Sequence, residues 1–182
     1  MPRQTATNHK MPLTRRAISC IACLYLALPT ATPAQEDPGK AKLGQVSVTV
    51  YHATHGDPAA AGAKATAVSA QTEATLRSKP QLSFKNYRAL GQDTQPLLRS
   101  YENWAQPLKP SDEILVKFEA RSLPTAKMTQ LDLELWLSRK KILKTDARLE
   151  GNRPLFILGP EWRGGRLIIA VALAKEQKAA TK

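Results

Sequence analysis

From Leu43 onward the chain alternates apolar and polar residues in short runs, the period expected of strands with one buried face. Val46, Val48 and Val50 alternate with Ser47, Thr49 and Tyr51. Ile114, Val116, Phe118 and Ala120 do so against Leu115, Lys117 and Glu119. The clearest run is Leu131, Leu133, Leu135 and Leu137, which sets Asp132, Glu134 and Trp136 on the opposite, solvent-facing side. Ile142 to Leu149, Pro154 to Leu158 and Arg166 to Ala174 complete the strand signals, the last with Leu167, Ile169, Val171 and Leu173 toward the core. Phe84 to Leu90 and Leu97 to Trp104 read as shorter extended pieces.

One segment departs from the period of two. After the loop His52 to Gly56, Asp57 is a good N-cap and Pro58 suits a first helical turn, predicting a helix from Pro58 to about Ser78. Its apolar face is thin, with Ala61, Ala65, Val68 and Leu76. Turns are expected at Arg121 to Thr129, at Gly151-Asn152 and at Gly159 to Gly165. Between Leu137 and Ile142 parity decides the connection, because both apolar faces of a hairpin must land on the same side. A three-residue loop, Arg139-Lys140-Lys141, would pair Leu137 with Leu143 and Leu135 with Thr145, leaving three cations at the tip. The fold class expected is α+β, one helix packed on an antiparallel sheet of about six strands spanning residues 43–174. Residues 35–42 read as a flexible leader, and 175–182 as a disordered tail without an apolar face.

The amino-terminal part adds an address. Arg15-Arg16 precedes an apolar run of twelve residues, Ala17 to Leu28, and the small-residue segment Thr30 to Ala34. This is the pattern of a signal peptide, residues 1–34, cut before Gln35, with Met11 as an alternative start. The run is too short for an anchor that spans a bilayer. Cleavage would remove Cys20 and Cys23, leaving no thiol for catalysis, disulfides or structural zinc. It would also remove four of the 27 basic residues and none of the 15 acidic ones, leaving 23 against 15, a formal +8. Such a chain is attracted to anionic polymers.

Candidate chemistry is sparse. His52, His55 and Asp57 could offer a divalent metal two imidazoles and a carboxylate, although Asp57 has a competing role as a cap. Asp132 and Glu134 share a strand face, where basic neighbours make them ion-pair partners rather than an acid-base couple. No G-x-S-x-G elbow occurs, and no glycine-rich phosphate loop precedes a helix. The remaining constellation is basic: Arg139, Lys140, Lys141, Arg148, Arg153, Arg163 and Arg166, with Trp136 and Trp162 near them in sequence. Of these Arg139, Lys140, Lys141, Trp162 and Arg163 are the candidate binding residues. A charged edge that discourages strand-to-strand aggregation would use the same residue types.

Several segments of the C-terminal half, roughly residues 84–173, resemble a group of uncharacterised exported bacterial proteins. They are Leu97-Leu98-Arg99-Ser100-Tyr101-Glu102-Asn103-Trp104, Ile114 to Lys117, Leu133 to Leu137, Lys144 to Ala147, and Pro154 to Trp162. The resemblance implies a small sheet-rich exported domain and carries over no functional residue. The functional expectation is an exported, non-enzymatic binding or assembly module of the bacterial envelope, needing no cofactor and meeting an envelope protein or an anionic polymer. The alternative is a metal-dependent enzyme built on His52, His55 and Asp57.

Overall fold

The computed structural model describes residues 36–125, 128–151 and 153–174, so the expected signal peptide and C-terminal tail lie outside the described residues. The alternating runs become strands β1 (Lys42–Thr54), β2 (Thr66–Ala67), β3 (Asn86–Leu98), β4 (Asn103–Ala105) and β5 (Ile114–Ala120). They continue as β6 (Met128–Leu137), β7 (Lys140–Glu150), β8 (Leu155–Trp162) and β9 (Gly165–Leu173). Among the described residues there is one α-helix, α1 (Ala70–Arg77). None of their helices is long and apolar enough to cross a membrane.

The strands do not build the single sheet expected of an α+β fold. They form two antiparallel sheets, one of five strands in the order β2-β3-β1-β9-β8 and one of four in the order β4-β5-β6-β7. The cause lies chiefly in β9, which is apolar on both faces, while β1 is buried on both faces only at its end, His52 to Thr54. Leu167 to Val171 are five consecutive buried residues, a pattern that requires cover on either side of the sheet. On one side Val46, Val48, Val50, Leu167, Ile169 and Val171 meet residues of the second sheet, among them Val116, Phe118, Leu133 and Leu135. On the other, Ala53, Tyr87 and Ile168 pack against Leu76 of α1 and Leu82 just after it. The fold is therefore a mostly-β sandwich with a small helical cover, and a single sheet under one helix is ruled out.

The long helix is also corrected. Asp57 does cap a turn, its Oδ1 accepting from the Ala59 amide at 2.8 Å, but that turn is a 3-10 turn ending at Ala61. Gly62 then takes a left-handed φ of 97° and leads the chain out toward β2. The helix starts afresh at Ser69, whose hydroxyl accepts from the Thr72 amide. High alanine propensity favours helix only weakly, and this segment has too few large side chains to bury a longer one. In the opposite sense, the polar stretch Gly91 to Pro96 conceals the middle of the long strand β3, which pairs with β1 along almost its whole length. Before β1, Pro38–Lys40 form a 3-10 turn held by the Tyr101 hydroxyl, which donates to Asp37, and by the Ser100 amide, which donates to Gly39.

The β6–β7 connection satisfies parity by a different device. Ser138 and Arg139 form a two-residue turn with φ of 47° and 65°, and Leu137 pairs with Lys140. A bulge then absorbs Ile142, so that Leu135 meets Leu143 and Leu133 meets Thr145. The leucines stay inside, but Lys140 and Lys141 belong to the strand and not to the tip. At the open edges β7 carries these lysines, β8 carries Pro160 at a register shift, and β2 is only two residues long. All three discourage pairing with another chain.

Candidate functional site

Four connections meet at one end of the sandwich: the loop after β1, the segment before β5, the Ser138-Arg139 turn and the Arg163-Gly164 turn. Glu113 ties three of them, since its carbonyl accepts from the Ser138 amide at 2.8 Å and its Oε1 accepts from Trp162 Nε1 at 2.9 Å. Thr54 Oγ1 donates to the Gly164 carbonyl at 3.1 Å and brings in the end of β1. Arg163 and Gly164 have φ of 46° and 70°, the left-handed pair of a tight hairpin turn, so Trp162 and Gly165 are held as facing residues. The indole of Trp162 is thus clamped by Glu113, and its edge contact with the buried His52 has ring centroids 5.7 Å apart. The Arg163 guanidinium lies over the same indole, 4.2 Å from its centroid.

Beside this stack is a cleft of 690 Å³ whose lining includes Lys64, Leu90, Gln92, Lys109, Trp162 and Arg163. Gly91 sets its width: a Cβ there would stand 2.1 Å from the Pro107 carbonyl oxygen, so only glycine lets the Pro107–Ser111 segment close against β3. Lys109 is paired with Asp93 at 3.0 Å. Lys64 and Arg163 are in no ion pair among the described residues, and the Glu113 carboxylate that also lines the cleft is bonded to Trp162 Nε1. The cleft therefore offers two available cations beside a fixed aromatic ring.

The structure divides the basic candidates. Trp162 and Arg163 stand together at the cleft. Arg139 shares this end but its guanidinium is spent on Asp112 at 3.2 Å, and Lys140 is exposed at the start of β7. Lys141 points onto the outer face of the second sheet. The metal candidates are not brought together. His52 is fully buried with Nε2 3.2 Å from the Trp162 carbonyl, His55 is exposed and stacks on Phe84 at 4.9 Å, and Asp57 caps its turn. No group of three or more His, Cys, Asp or Glu is placed to hold a metal among the described residues.

The outer face of the second sheet is a second organised surface. Trp104, Lys117, Glu134 and Lys144 form one row across its four strands, and Trp136 and Lys141 pair in the next. Glu119, Asp132 and Asp146 make a third row, beyond which Arg148 faces Gln130. Asp132 and Glu134, expected to be solvated, are buried, at 8 % and 3 % exposure. Long side chains cover them, their methylenes lying on the sheet and their heads reaching inward to the carboxylates. Glu134 accepts from Lys141 at 3.1 Å and from Trp136 Nε1 at 3.0 Å, with Lys144 at 3.5 Å and Lys117 at 3.9 Å. Asp132 meets Arg121 and Lys144, each at 3.2 Å. The same unit recurs next door, where Glu102 accepts from Trp104 Nε1 at 3.1 Å and pairs with Lys117 at 2.7 Å. Sequence reasoning missed this surface, although Glu102-Asn103-Trp104 and Glu134-Leu135-Trp136 share a spacing that puts carboxylate and indole on one strand face.

Burial pushes the Glu134 carboxyl up, but the hydrogen bonds from Lys141 and Trp136 and the charge of Lys117 outweigh it and hold it below the usual carboxylate range. Asp93 behaves alike: burial raises it, and the Gln106 amide, Gln95 and Lys109 together bring it below its ordinary value. A carboxylate lowered in the folded state stabilises the fold above its unfolded pKa, and that contribution is lost as pH falls through the folded value. Thermal melting should accordingly drop as the medium is acidified below the ordinary carboxylate range. Glu134→Gln should show a lower melting temperature at neutral pH and a shallower acid fall; an unchanged acid profile would contradict the role given to Glu134.

Comparison with protein-family models, with curated proteins and with solved structures finds no match for this chain.

Proposed function

We propose that this chain is an exported, non-enzymatic binding module of the bacterial envelope, and that its end cleft receives an anionic group of a partner or polymer. One observation carries the reading: the Arg163 guanidinium rests on a clamped indole at the mouth of the cleft, with Lys64 nearby and no carboxylate taking up either cation among the described residues. A pre-oriented guanidinium loses little freedom when it donates two hydrogen bonds to a carboxylate, sulfate or phosphate in a bidentate pair. The formal +8 of the chain from Gln35 onward supports it by raising the local concentration of anions. The signal-peptide pattern of residues 1–34 supports the export.

Two measurements on the exported protein test this. Its intact mass should begin at Gln35, and retention of Cys20 and Cys23 would overturn the address. Binding of a sulfated heparin oligosaccharide, the polyanion probe, should weaken about tenfold in Lys64→Ala combined with Arg163→Asn, the loss of a charge-assisted contact. Asparagine tolerates the left-handed φ of 46° at position 163, so the turn survives the change. Equal binding by both proteins across a salt series would remove the functional reading of the cleft.

A further inference from the structure

The outer face of the second sheet has a different chemistry from the cleft. Its two Glu-x-Trp units place the indoles of Trp104 and Trp136 against each other, with ring centroids 5.7 Å apart. Each indole N–H is consumed by the carboxylate two residues before it, which fixes the ring and leaves only its π-face for contact. Trp104 is 38 % exposed although it stands on a strand of three residues, and Trp136, with Lys141 Nζ 5.3 Å from its ring, braces it from beneath. The charges of the face balance: six cations, Lys117, Arg121, Lys141, Lys144, Arg148 and Arg153, stand among six carboxylates, Glu102, Glu119, Asp132, Glu134, Asp146 and Glu150, the last paired with Arg153.

We infer that this face binds a neutral, linear oligosaccharide. Balanced charge gives no net attraction for either ion, so affinity must come from contacts that a neutral ligand can make. An exposed, rigid indole face offers a flat platform to the C–H face of a pyranose ring, at little entropic cost because the ring is already immobile. The surrounding ammonium and carboxylate groups alternate donors with acceptors, which suits hydroxyl groups that act as both. Asp132 Oδ1 is buried without a partner, so the face holds at least one acceptor that its own side chains leave unmet. A peptide or a membrane surface would find neither an apolar groove nor a charge excess here.

The test titrates the full protein with cellotetraose and chitotetraose, neutral tetrasaccharides, and with a sulfated tetrasaccharide, following tryptophan fluorescence. At least one neutral ligand should bind with an affinity hardly changed by salt, unlike the cleft. Trp104→Ala should weaken it about tenfold, the loss of one stacking platform, and Trp104→Phe should retain most of it. Lys64→Ala with Arg163→Asn should leave it unchanged, which separates this site from the cleft. In the unmodified protein the same ligand should protect Trp104 from oxidation by N-bromosuccinimide, a readout independent of how any variant folds. Failure of both neutral ligands to bind, binding indifferent to Trp104→Ala, or an unprotected Trp104 would overturn the inference.

Discussion

Ile168→Ala and Ile169→Ala are each expected to destabilise the protein by about 2–5 kcal/mol, the range for a buried isoleucine cut to alanine. The two residues are adjacent on β9 and both fully buried, yet they belong to different layers. Ile169 lies in the core between the sheets with Val50, Phe118 and Leu133. Ile168 lies with Ala53, Leu76, Leu82 and Tyr87 beneath the helical cover. Each deletion leaves a cavity in a separate cluster, so each single variant should lose stability by itself and the double variant should lose more than either. Denaturant unfolding of the three variants checks this. A loss below about 0.5 kcal/mol for either residue, as for an ordinary surface change, would mean that one face of the five-stranded sheet is uncovered and the layered arrangement is wrong.

Gly91→Ala is expected to cost at least about 1–3 kcal/mol, the usual penalty of forcing extra volume into a packed site. The added Cβ would meet backbone, the Pro107 carbonyl oxygen at 2.1 Å, and a backbone atom cannot rotate away as a side-chain tip can. Either β3 or the Pro107–Ser111 segment must shift. Since that segment walls the cleft, the same change should weaken binding of the heparin oligosaccharide as well as stability. Wild-type stability with wild-type binding in Gly91→Ala would contradict the close approach on which the cleft depends.

The layered fold was partly legible in the sequence. Strand β5 follows its alternation closely, because it has one face toward the core and one toward polar surface, whereas β6 keeps its leucines inside but buries Asp132 and Glu134 on its other face as well. The run Leu167 to Val171 held the signal for a second covering layer, since no alternation survives through Ile168, Ile169 and Ala170. Reading only the odd positions as core obscured it. The helix over Pro58 to Ser78 failed because alanine propensity is local, while Gly62 and the cap at Ser69 divide the segment. The turn between β6 and β7 illustrates a constraint met in another way, parity being a property of the whole hairpin, which a bulge at Ile142 restores as well as a longer loop does.

The candidate sites were legible only where sequence neighbours remain spatial neighbours. Trp162 and Arg163 are adjacent and stay so, whereas Lys64, Gln92 and Glu113 reach the cleft from three other segments that no local pattern connects. The metal candidates failed from the reverse error. His52 and His55 are close in sequence, but one points into the core and the other lies beyond the end of β1. Burial of Asp132 and Glu134 was hidden because it depends on lysines of the neighbouring strand β7 and on Trp136 two residues beyond Glu134 in the same strand.

The most direct test of the binding reading is a backbone amide NMR titration of the chain from Gln35 onward with the sulfated heparin oligosaccharide at moderate salt. The expected result is a set of shift changes confined to the end of the sandwich, over residues 61–65, 90–92, 107–113 and 161–166, saturating with the ligand and lost in Lys64→Ala with Arg163→Asn. Shift changes that instead follow Lys140, Lys141 and Lys144 along β7, or none at all, would contradict a binding site in the cleft.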